Sequence, residues 1–307
     1  MRLYRGIAAL DAAPRRRVIT IGVFDGLHAG HEAILARTRA EADAAGESCL
    51  VFTFEPTPKE FFSPHNPPPR LTRFRERFER LAALGVDELL CPSFGAVRDI
   101  RAEDFVESLI VGKLHASHVV VGDDFRYGAG RGGTVADLRT AGERHGFRVT
   151  VVEPVYWQGR RVSSTAIREA LKLGDLATAR GMLGRDYAIS GRVVRGLGLG
   201  TQLGFPTANV NLKRRLAPVD GIFAARVSGL GSEVLAGVAS VGTRPTIGGS
   251  TPLLEVLIFD FEREIYGEYI TVHFIERLRA ERHFADLAAL QRQMHLDVEA
   301  AKAALRP

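Results

Sequence analysis

The chain has 307 residues and a formal net charge of +5, and 46% of its residues are hydrophobic while 25% are charged. This length suggests about two domains, and the composition is that of a globular protein, which excludes a disordered or fibrous chain. The two cysteines, Cys49 and Cys91, lie far apart in sequence and outside any CxxC pattern. We therefore expect neither a disulfide framework nor a zinc site.

The basic excess is mild, and its arginines are dispersed. One stretch, residues 73–80, interleaves Arg73, Arg75, Arg77 and Arg80 with phenylalanine and glutamate. Such a stretch is typical of a solvated helix face with internal ion pairs. The charge suits anionic substrates and also a weak nucleic-acid binder. No segment approaches the roughly 18 apolar residues of a membrane span, and no signal-peptide core is present. We expect a soluble, cytoplasmic protein that binds neither membranes nor nucleic acid.

The first half of the chain alternates short apolar runs with helical patterns. Strands are predicted at 18–24, 49–54, 88–94, 118–122 and 147–155, and helices at 31–46, 74–85, 103–114, 134–146 and 164–174. Strands that alternate with helices at this spacing predict an α/β domain with a parallel sheet covered on both faces. Ligands of such sheets bind outside the carboxyl ends of the strands.

The pattern changes after about residue 184. Short β-like runs separated by glycine, proline and polar turns predict an antiparallel barrel or sandwich. A terminal amphipathic helix is predicted at 284–307, with four apolar residues near helical spacing that we expect to pack on the core: Leu287, Leu290, Met294 and Val298. The sequence thus predicts domains at 1–183 and 184–307, with the linker inside 173–186.

The strongest motif is Gly22-Val-Phe-Asp-Gly-Leu-His-Ala-Gly-His31, which lies where a predicted strand ends and a helix begins. His28 and His31 are three residues apart, so both can face the same way. The glycines of the motif allow a tight turn and a close backbone approach. A helix N-terminus attracts phosphate, and two imidazoles there can donate hydrogen bonds to a triphosphate. The motif therefore predicts a nucleotide phosphate site.

A second motif is a glycine-rich run that starts at Gly196 and ends in Pro206-Thr207-Ala208-Asn209. It lacks the GK[ST] of a P-loop, and a glycine-rich stretch alone fits a flexible turn equally well. Thr207 and Asn209 carry hard oxygen donors of the kind that Mg²⁺ accepts beside phosphate oxygens. The PTAN segment makes this motif a much stronger signal than the glycine-rich run alone.

The first motif closely resembles the HxGH nucleotidylyltransferase superfamily, in the form typical of prokaryotic FAD synthetases. Val162-Ser-Ser-Thr-Ala-Ile-Arg168 resembles the SSTxIR signature of that family, and Gly122-Asp-Asp-Phe-Arg-Tyr-Gly128 resembles its loop beside ATP and flavin. The resemblance implies a Rossmann-like domain that adenylylates FMN to FAD and releases pyrophosphate, with His28, His31 and Arg168 as catalytic residues. It further implies ATP contacts by Gly22, Phe24, Asp25, Gly26, His28, His31, Ser164, Thr165 and Arg168, and flavin contacts by Asp124, Phe125 and Tyr127.

The second motif resembles the riboflavin kinase domain, and later blocks around Gly221, Gly242, Leu254 and Leu278 follow in family order. The resemblance therefore spans nearly the whole chain, as in prokaryotic bifunctional riboflavin kinase/FMN adenylyltransferases. It implies a barrel that phosphorylates riboflavin to FMN with ATP and Mg²⁺. It assigns Glu255 as the general base, Thr207 and Asn209 as metal ligands, Gly204, Pro206 and Thr207 as ATP contacts, and Arg279 as a flavin contact.

Three positions depart from the family pattern. Thr57, in the stretch FEPTPKEFF that resembles a loop near the flavin and the nucleotide, stands where relatives often have histidine. Asp124 stands where asparagine is common, and Leu257 where many relatives have histidine. Any family role of these three side chains is in question for this chain.

Two other functions remain open from the sequence. The chain could be a nucleotidylyltransferase for another substrate with a regulatory barrel, but an intact PTAN motif and Glu255 argue against this alternative. It could also be a nucleic-acid-binding protein, since an HxGH motif also occurs in class I tRNA synthetases. Against that alternative, no basic stripe with interleaved stacking aromatics is evident.

Overall fold

The computed structural model describes residues 1–10, 15–196, 200, 203–246 and 249–306, and the side chains of 244–251 are outside the description. The chain forms two compact units, Met1–Pro68 with Thr72–Ser163, and Pro69–Leu71 with Ser164–Pro307. Within these described ranges, no helix combines the length and apolarity that a membrane crossing requires. The domain boundary after residue 183 stays a prediction.

The first unit contains a six-stranded parallel sheet, which confirms the α/β prediction. Its strand order is β1-β4-β3-β2-β5-β6. The strands are β1 (Arg2–Tyr4), β2 (Arg17–Ile21), β3 (Ser48–Phe52), β4 (Glu88–Leu90), β5 (Ala116–Gly122) and β6 (Arg148–Val152). Every residue of β2 is buried, as expected for a central strand with both faces covered. The edge strand β1 was missed by the sequence analysis because three residues are too short to show a period.

Helices cover both faces of this sheet. They are α1 (Ala29–Ala45), α2 (Pro58–Phe62), α3 (Phe74–Ala83), α4 (Ala102–Asp104), which continues into a π-helical segment (Phe105–Lys113), and α5 (Val135–His145). A short hairpin, β7 (Tyr156–Trp157) with β8 (Arg160–Arg161), ends the unit. Helix α1 ends at Gly46, whose φ of 64° is the left-handed conformation that glycine adopts at helix ends. The helix predicted over 103–114 is correct in place but largely π-helical.

The second unit is a closed antiparallel barrel preceded by two helices and followed by one. The helices are α6 (Ser164–Leu173), α7 (Leu176–Leu183) and α8 (Leu287–Ala304). The strands are β9 (Ala188–Val194), β10 (Ala208–Asn211), β11 (Gly221–Ser228), β12 (Leu235–Thr246), β13 (Gly249–Ile258) and β14 (Tyr269–Arg279), in the order β10-β13-β12-β11-β14-β9. The strand pattern left barrel and sandwich open, the family resemblance implied a barrel, and the structure confirms the barrel. Closure removes exposed strand edges.

Two details modify the expected domain organisation. Helix α7 occupies most of the range in which the sequence analysis placed a linker. Residues 69–71 belong to the second unit because Arg214, which is buried, donates from Nη1 to the carbonyl oxygens of Arg70 (2.8 Å) and Leu71 (3.2 Å). A guanidinium can satisfy several carbonyls at once, so Arg214 holds two residues of this segment.

Cys49 lies in the sheet of the first unit with no exposed surface, and Cys91 is also buried. Neither forms a disulfide in the described part of the chain. Burial raises the pKa of the Cys49 thiol to about 12, because the apolar surroundings disfavour the thiolate.

We expect Cys49 to resist a thiol reagent such as DTNB in the native protein. At pH 8 a thiol with this pKa is ionised in about one molecule in 10⁴, and the thiolate is the reactive form. Mass spectrometry of labelled peptides should show Cys49 unmodified at pH 8 and fully modified in urea. Equal labelling rates in the two states would contradict the burial of this thiol.

Candidate active sites

The loop between β2 and α1 carries the first motif in a backbone conformation that needs support. Phe24, Gly26 and Leu27 have φ values of 53°, 87° and 44°. Positive φ is unfavourable for residues other than glycine and persists only where the surroundings hold it. The side chains of Phe24 and Leu27 are 1% and 0% exposed, so both are anchored in the core. Any contact of Phe24 with ATP would therefore be made by its main chain.

His28 and His31 lie side by side at the start of α1. His28 is the N-cap residue, and its Nδ1 accepts a hydrogen bond from the His31 N–H at 3.3 Å. The two rings stack with centroids 3.6 Å apart and planes 17° from parallel. A Cβ atom at Gly30 would lie 3.3 Å from the His28 ring, so glycine gives the imidazole room. The spacing correctly predicted that both histidines share one face.

Asp25 is held by Thr72, a residue that the sequence analysis missed. The backbone N–H and the hydroxyl of Thr72 donate to Asp25 Oδ1 at 2.8 and 3.1 Å. The Thr72 hydroxyl also accepts from the Gly26 N–H at 2.9 Å. Asp25 is only 5% exposed. Its hydrogen bonds with Thr72 tie the β2–α1 loop to the segment before α3. No local signal marks Thr72, because it lies 47 residues from Asp25 in sequence.

The loop after β5 holds the residues predicted to contact flavin. Phe125 and Tyr127 stack with ring centroids 5.8 Å apart, and Tyr127 is buried against Gly133, where a Cβ atom would lie 2.5 Å from its ring. Asp124 is exposed, and its carboxylate lies 3.4 Å from Arg161 Nη2. Two aromatic rings and one exposed acid are therefore adjacent at the end of β5.

Thr57 has a structural role in this chain. It is the N-cap of α2, its hydroxyl accepts from the Glu60 N–H, and the Glu60 carboxylate accepts from the Thr57 N–H in a capping box. Helix α2 presents Phe61 and Phe62, and both rings lie edge-on to Phe94 at 5.5 and 5.6 Å. Phe62 remains 68% exposed, which leaves an aromatic surface beside the capped turn.

The residues of the SSTxIR-like signature lie in the second unit. Ser164 and Thr165 begin α6, and Arg168 follows one turn later. Arg168 Nε donates to the carbonyl oxygen of Pro69 at 2.7 Å. The predicted roles of these three residues toward ATP stay predictions.

In the barrel, strand pairing brings the second set of site residues together. Glu255 on β13 is directly opposite Asn209 on β10 and Ser240 on β12. Its neighbours Leu254 and Val256 are fully buried, so alternation puts Glu255 on the other face. Directly paired residues have Cβ atoms about 5 Å apart. The predicted base and the predicted metal ligand Asn209 are therefore adjacent.

A cavity of about 220 Å³ lies beside these residues, between the outer face of the barrel and α8. Thr207, Glu255 and Leu257 line it from the barrel side. The helix contributes apolar side chains from Leu290, Met294 and Val298. As expected, the helix packs on β11, β12 and β14, with these three side chains half-buried along the cavity, whereas Leu287 is 57% exposed. Helical spacing shows that residues share a face but not what that face covers.

Arg279 lines this cavity and a neighbouring one of about 470 Å³. Its Nε and Nη2 donate to the two carboxylate oxygens of Asp297 on α8, at 2.8 and 2.7 Å. Gln293 Nε2 also donates to Asp297 Oδ1 at 2.8 Å. This planar two-point contact fixes both the guanidinium and the helix that covers the cavity. The sequence analysis found Arg279 but not Asp297.

The larger cavity also has an acidic side. Partial burial, followed by the charge of Asp220 and with a smaller contribution from Glu255, raises the pKa of the Glu281 carboxyl group. A Cβ atom at Gly242 would overlap the Glu281 carboxylate, so a larger residue there would displace this flexible side chain. Cationic groups that approach here would meet several carboxylates close to Arg279.

The residues around Asn209 suit a metal ion that is shared with phosphate. Asn209 is 7% exposed, and a Cβ atom at Gly196 would overlap its carboxamide. Over the described part of the chain, no group of three or more histidine, cysteine or acidic residues could hold a metal ion. Mg²⁺ commonly takes one or two protein oxygens and completes its shell with phosphates and water, which Thr207 and Asn209 fit. Part of the glycine-rich run, 197–199 and 201–202, lies outside the described residues.

Comparison with known proteins finds two family matches, one in each half of the chain. A family model for FAD synthetase matches residues 10–166, and one for riboflavin kinase matches residues 183–305. The bifunctional riboflavin kinase/FMN adenylyltransferase of Escherichia coli (strain K12) is 44% identical over 97% of this chain and 96% of its own length. That of Pseudomonas fluorescens is 42% identical over 100% and 99%. A crystal structure described as a macrolide-efflux protein from Streptococcus pneumoniae has a TM-score of 0.83 at 29% identity, over 98% of both chains.

We expect Asp297→Ala to lower the free energy of unfolding of the C-terminal unit by roughly 1–3 kcal/mol, because it leaves the largely buried Arg279 without its carboxylate partner. Glu299→Ala is the matched control on the same helix, since Glu299 is 73% exposed and its pair with Lys302 contributes little. Urea unfolding followed by circular dichroism measures both. Equal stabilities of the two variants would refute the role given to Asp297.

Proposed function

This chain belongs to the bifunctional riboflavin kinase/FMN adenylyltransferase family, and we propose that it phosphorylates riboflavin in the barrel unit and adenylylates FMN at the β2–α1 loop. Both family matches are present, in that order of FAD synthetase then riboflavin kinase. ATP is the co-substrate of both reactions. Product analysis of the purified protein with riboflavin, ATP and Mg²⁺ tests the proposal, which requires FMN to form first and FAD to follow.

For adenylyl transfer, the supporting observation is the stacked His28–His31 pair at the N-terminus of α1. A phosphate oxygen of FMN attacks the α-phosphorus of ATP, and pyrophosphate leaves with the electron pair of the broken P–O bond. The two imidazoles donate hydrogen bonds to the phosphates and stabilise the charge that grows on the leaving group. The family resemblance implies a further phosphate contact by Arg168, whose planar guanidinium suits that role. The reaction needs positioning and charge stabilisation but no covalent enzyme intermediate.

For the kinase reaction, the supporting observation is Glu255 opposite Asn209 beside a cavity. The Glu255 carboxylate accepts the proton of the riboflavin 5′-hydroxyl as that oxygen attacks the γ-phosphorus of ATP, and ADP leaves. Thr207 and Asn209 would hold Mg²⁺, which when bound neutralises charge on the phosphate oxygens. Arg279, fixed by Asp297, contacts the flavin from the cavity wall.

We expect His28→Ala to reduce FAD formation from FMN by roughly 100-fold or more, because one donor to the charged phosphates is lost. FMN formation from riboflavin should stay within about twofold of the parent. Chromatography of the flavin products measures both. His145→Ala, at the C-terminal end of α5, is the control, and loss of both activities in a folded His28→Ala protein would argue against separate sites.

We expect Glu255→Gln to show the reverse pattern. Loss of a general base lowers the rate by roughly 10²–10⁴-fold, so FMN formation should fall by that order while FAD formation from added FMN continues. Glu276→Gln is the matched control, since Glu276 is an exposed carboxylate on a strand of the same barrel. Steady-state kinetics with each flavin substrate gives the answer. Unchanged kinase activity in Glu255→Gln would remove Glu255 as the base.

A further inference from the structure

The sequence analysis expected the stretch 73–80 to form a solvated helix face. Arg77 on α3 departs from that expectation, because it is buried. It is 1% exposed, although the side chain of Arg75, two residues earlier, is 59% exposed and pairs with Glu79 at 2.7 Å. Burial of a guanidinium is costly unless it is paired and hydrogen-bonded. The contacts of Arg77 therefore indicate why this chain keeps a charge there.

The Arg77 guanidinium joins two loops. Nη1 donates to the carbonyl oxygen of Val23 at 3.0 Å, and Nη2 donates to the Glu55 carboxylate at 2.9 Å. The Val23 carbonyl also accepts from the Thr53 hydroxyl at 3.2 Å. Val23 lies in the β2–α1 loop, while Thr53 and Glu55 directly follow β3. One side chain thus connects the ends of two strands that pair in parallel.

These two loops lie at the edge of the sheet where ligands bind. The carboxyl ends of adjacent parallel strands form the ligand crevice in open α/β sheets. Val23 immediately precedes Phe24, where the positive φ begins, and the loop then leads into the His28 N-cap. A donor that fixes the Val23 carbonyl therefore fixes the starting point of the strained segment that orients the histidines.

We propose that Arg77 is a positioning residue for adenylyl transfer, an inference that rests on the proposed site at His28 and His31. Its guanidinium holds the β2–α1 loop against the loop after β3 in the geometry that the reaction needs. A displacement of about 1 Å from reacting geometry can cost about 100-fold in rate. Loosening this contact therefore lowers kcat for FAD formation more than it changes the KM for ATP.

The test is the pair Arg77→Met and Arg77→Lys in the full-length protein. Methionine keeps an apolar stem of similar reach but has no donor, whereas lysine restores a cationic donor. We expect Arg77→Met to lower kcat for FAD formation at least tenfold with the KM for ATP changed less than threefold, and Arg77→Lys to recover most of that loss. FMN formation, measured in the same preparation, should stay within twofold. Arg75→Ala, which removes the exposed pair with Glu79, should match the parent.

Glu55→Gln provides a second test of the proposal if Arg77→Met fails to fold. Glutamine can still accept a hydrogen bond from Arg77 but removes the negative charge of the pair. A loss of kcat for FAD formation by at least threefold in this variant supports the proposal. The proposal is overturned if kcat for FAD formation by folded Arg77→Met stays within threefold of the parent, or if only the KM for ATP changes. If Arg77→Met does not fold, an unchanged kcat for FAD formation in Glu55→Gln overturns it. His28→Ala, assayed in parallel, separates the two ideas, since its full activity would remove the proposed site itself.

Discussion

The N-terminal half depends on support for one short loop whose backbone is unfavourable by itself. Between β2 and α1 the chain passes through positive φ at Phe24 and Leu27, which packing and hydrogen bonds must compensate. Phe24 and Leu27 are buried in the core, and Asp25 is held by Thr72. The Val23 carbonyl is held from the neighbouring strand end and from α3. The loop that carries the two imidazoles is therefore held by packing and hydrogen bonds along its length.

The C-terminal half reaches its site by a different route, through strand register. Period-two alternation buries Leu254 and Val256 and leaves Glu255 on the opposite face. Strand β13 pairs with β10 on one side and β12 on the other, so Asn209 and Ser240 lie on either side of Glu255. This register is strongly specified, because a one-residue shift would bury the carboxylate and expose the core. Helix α8 then encloses the cavity and brings Asp297 to Arg279.

The three departures from the family pattern have different local consequences. Thr57 closes a capping box with Glu60, so a residue other than histidine fixes the start of α2. Leu257 lies on the cavity wall two residues from Glu255, where it adds apolar surface. Asp124 is 78% exposed beside Arg161. The cavity is thus more apolar beside Glu255 than a histidine at position 257 would make it.

The sequence by itself determined both motifs, the parallel sheet, the β-rich second half and the shared face of His28 and His31, because each depends on residues close together in the chain. The strand pattern alone could not decide between barrel and sandwich, which the family resemblance resolved, and the charge pattern misjudged the burial of Arg77. The sequence also gave no sign of Thr72 or Asp297. Those features depend on contacts between residues that are distant in sequence: periodicity shows which side chains share a face, and only the packed structure decides what that face meets.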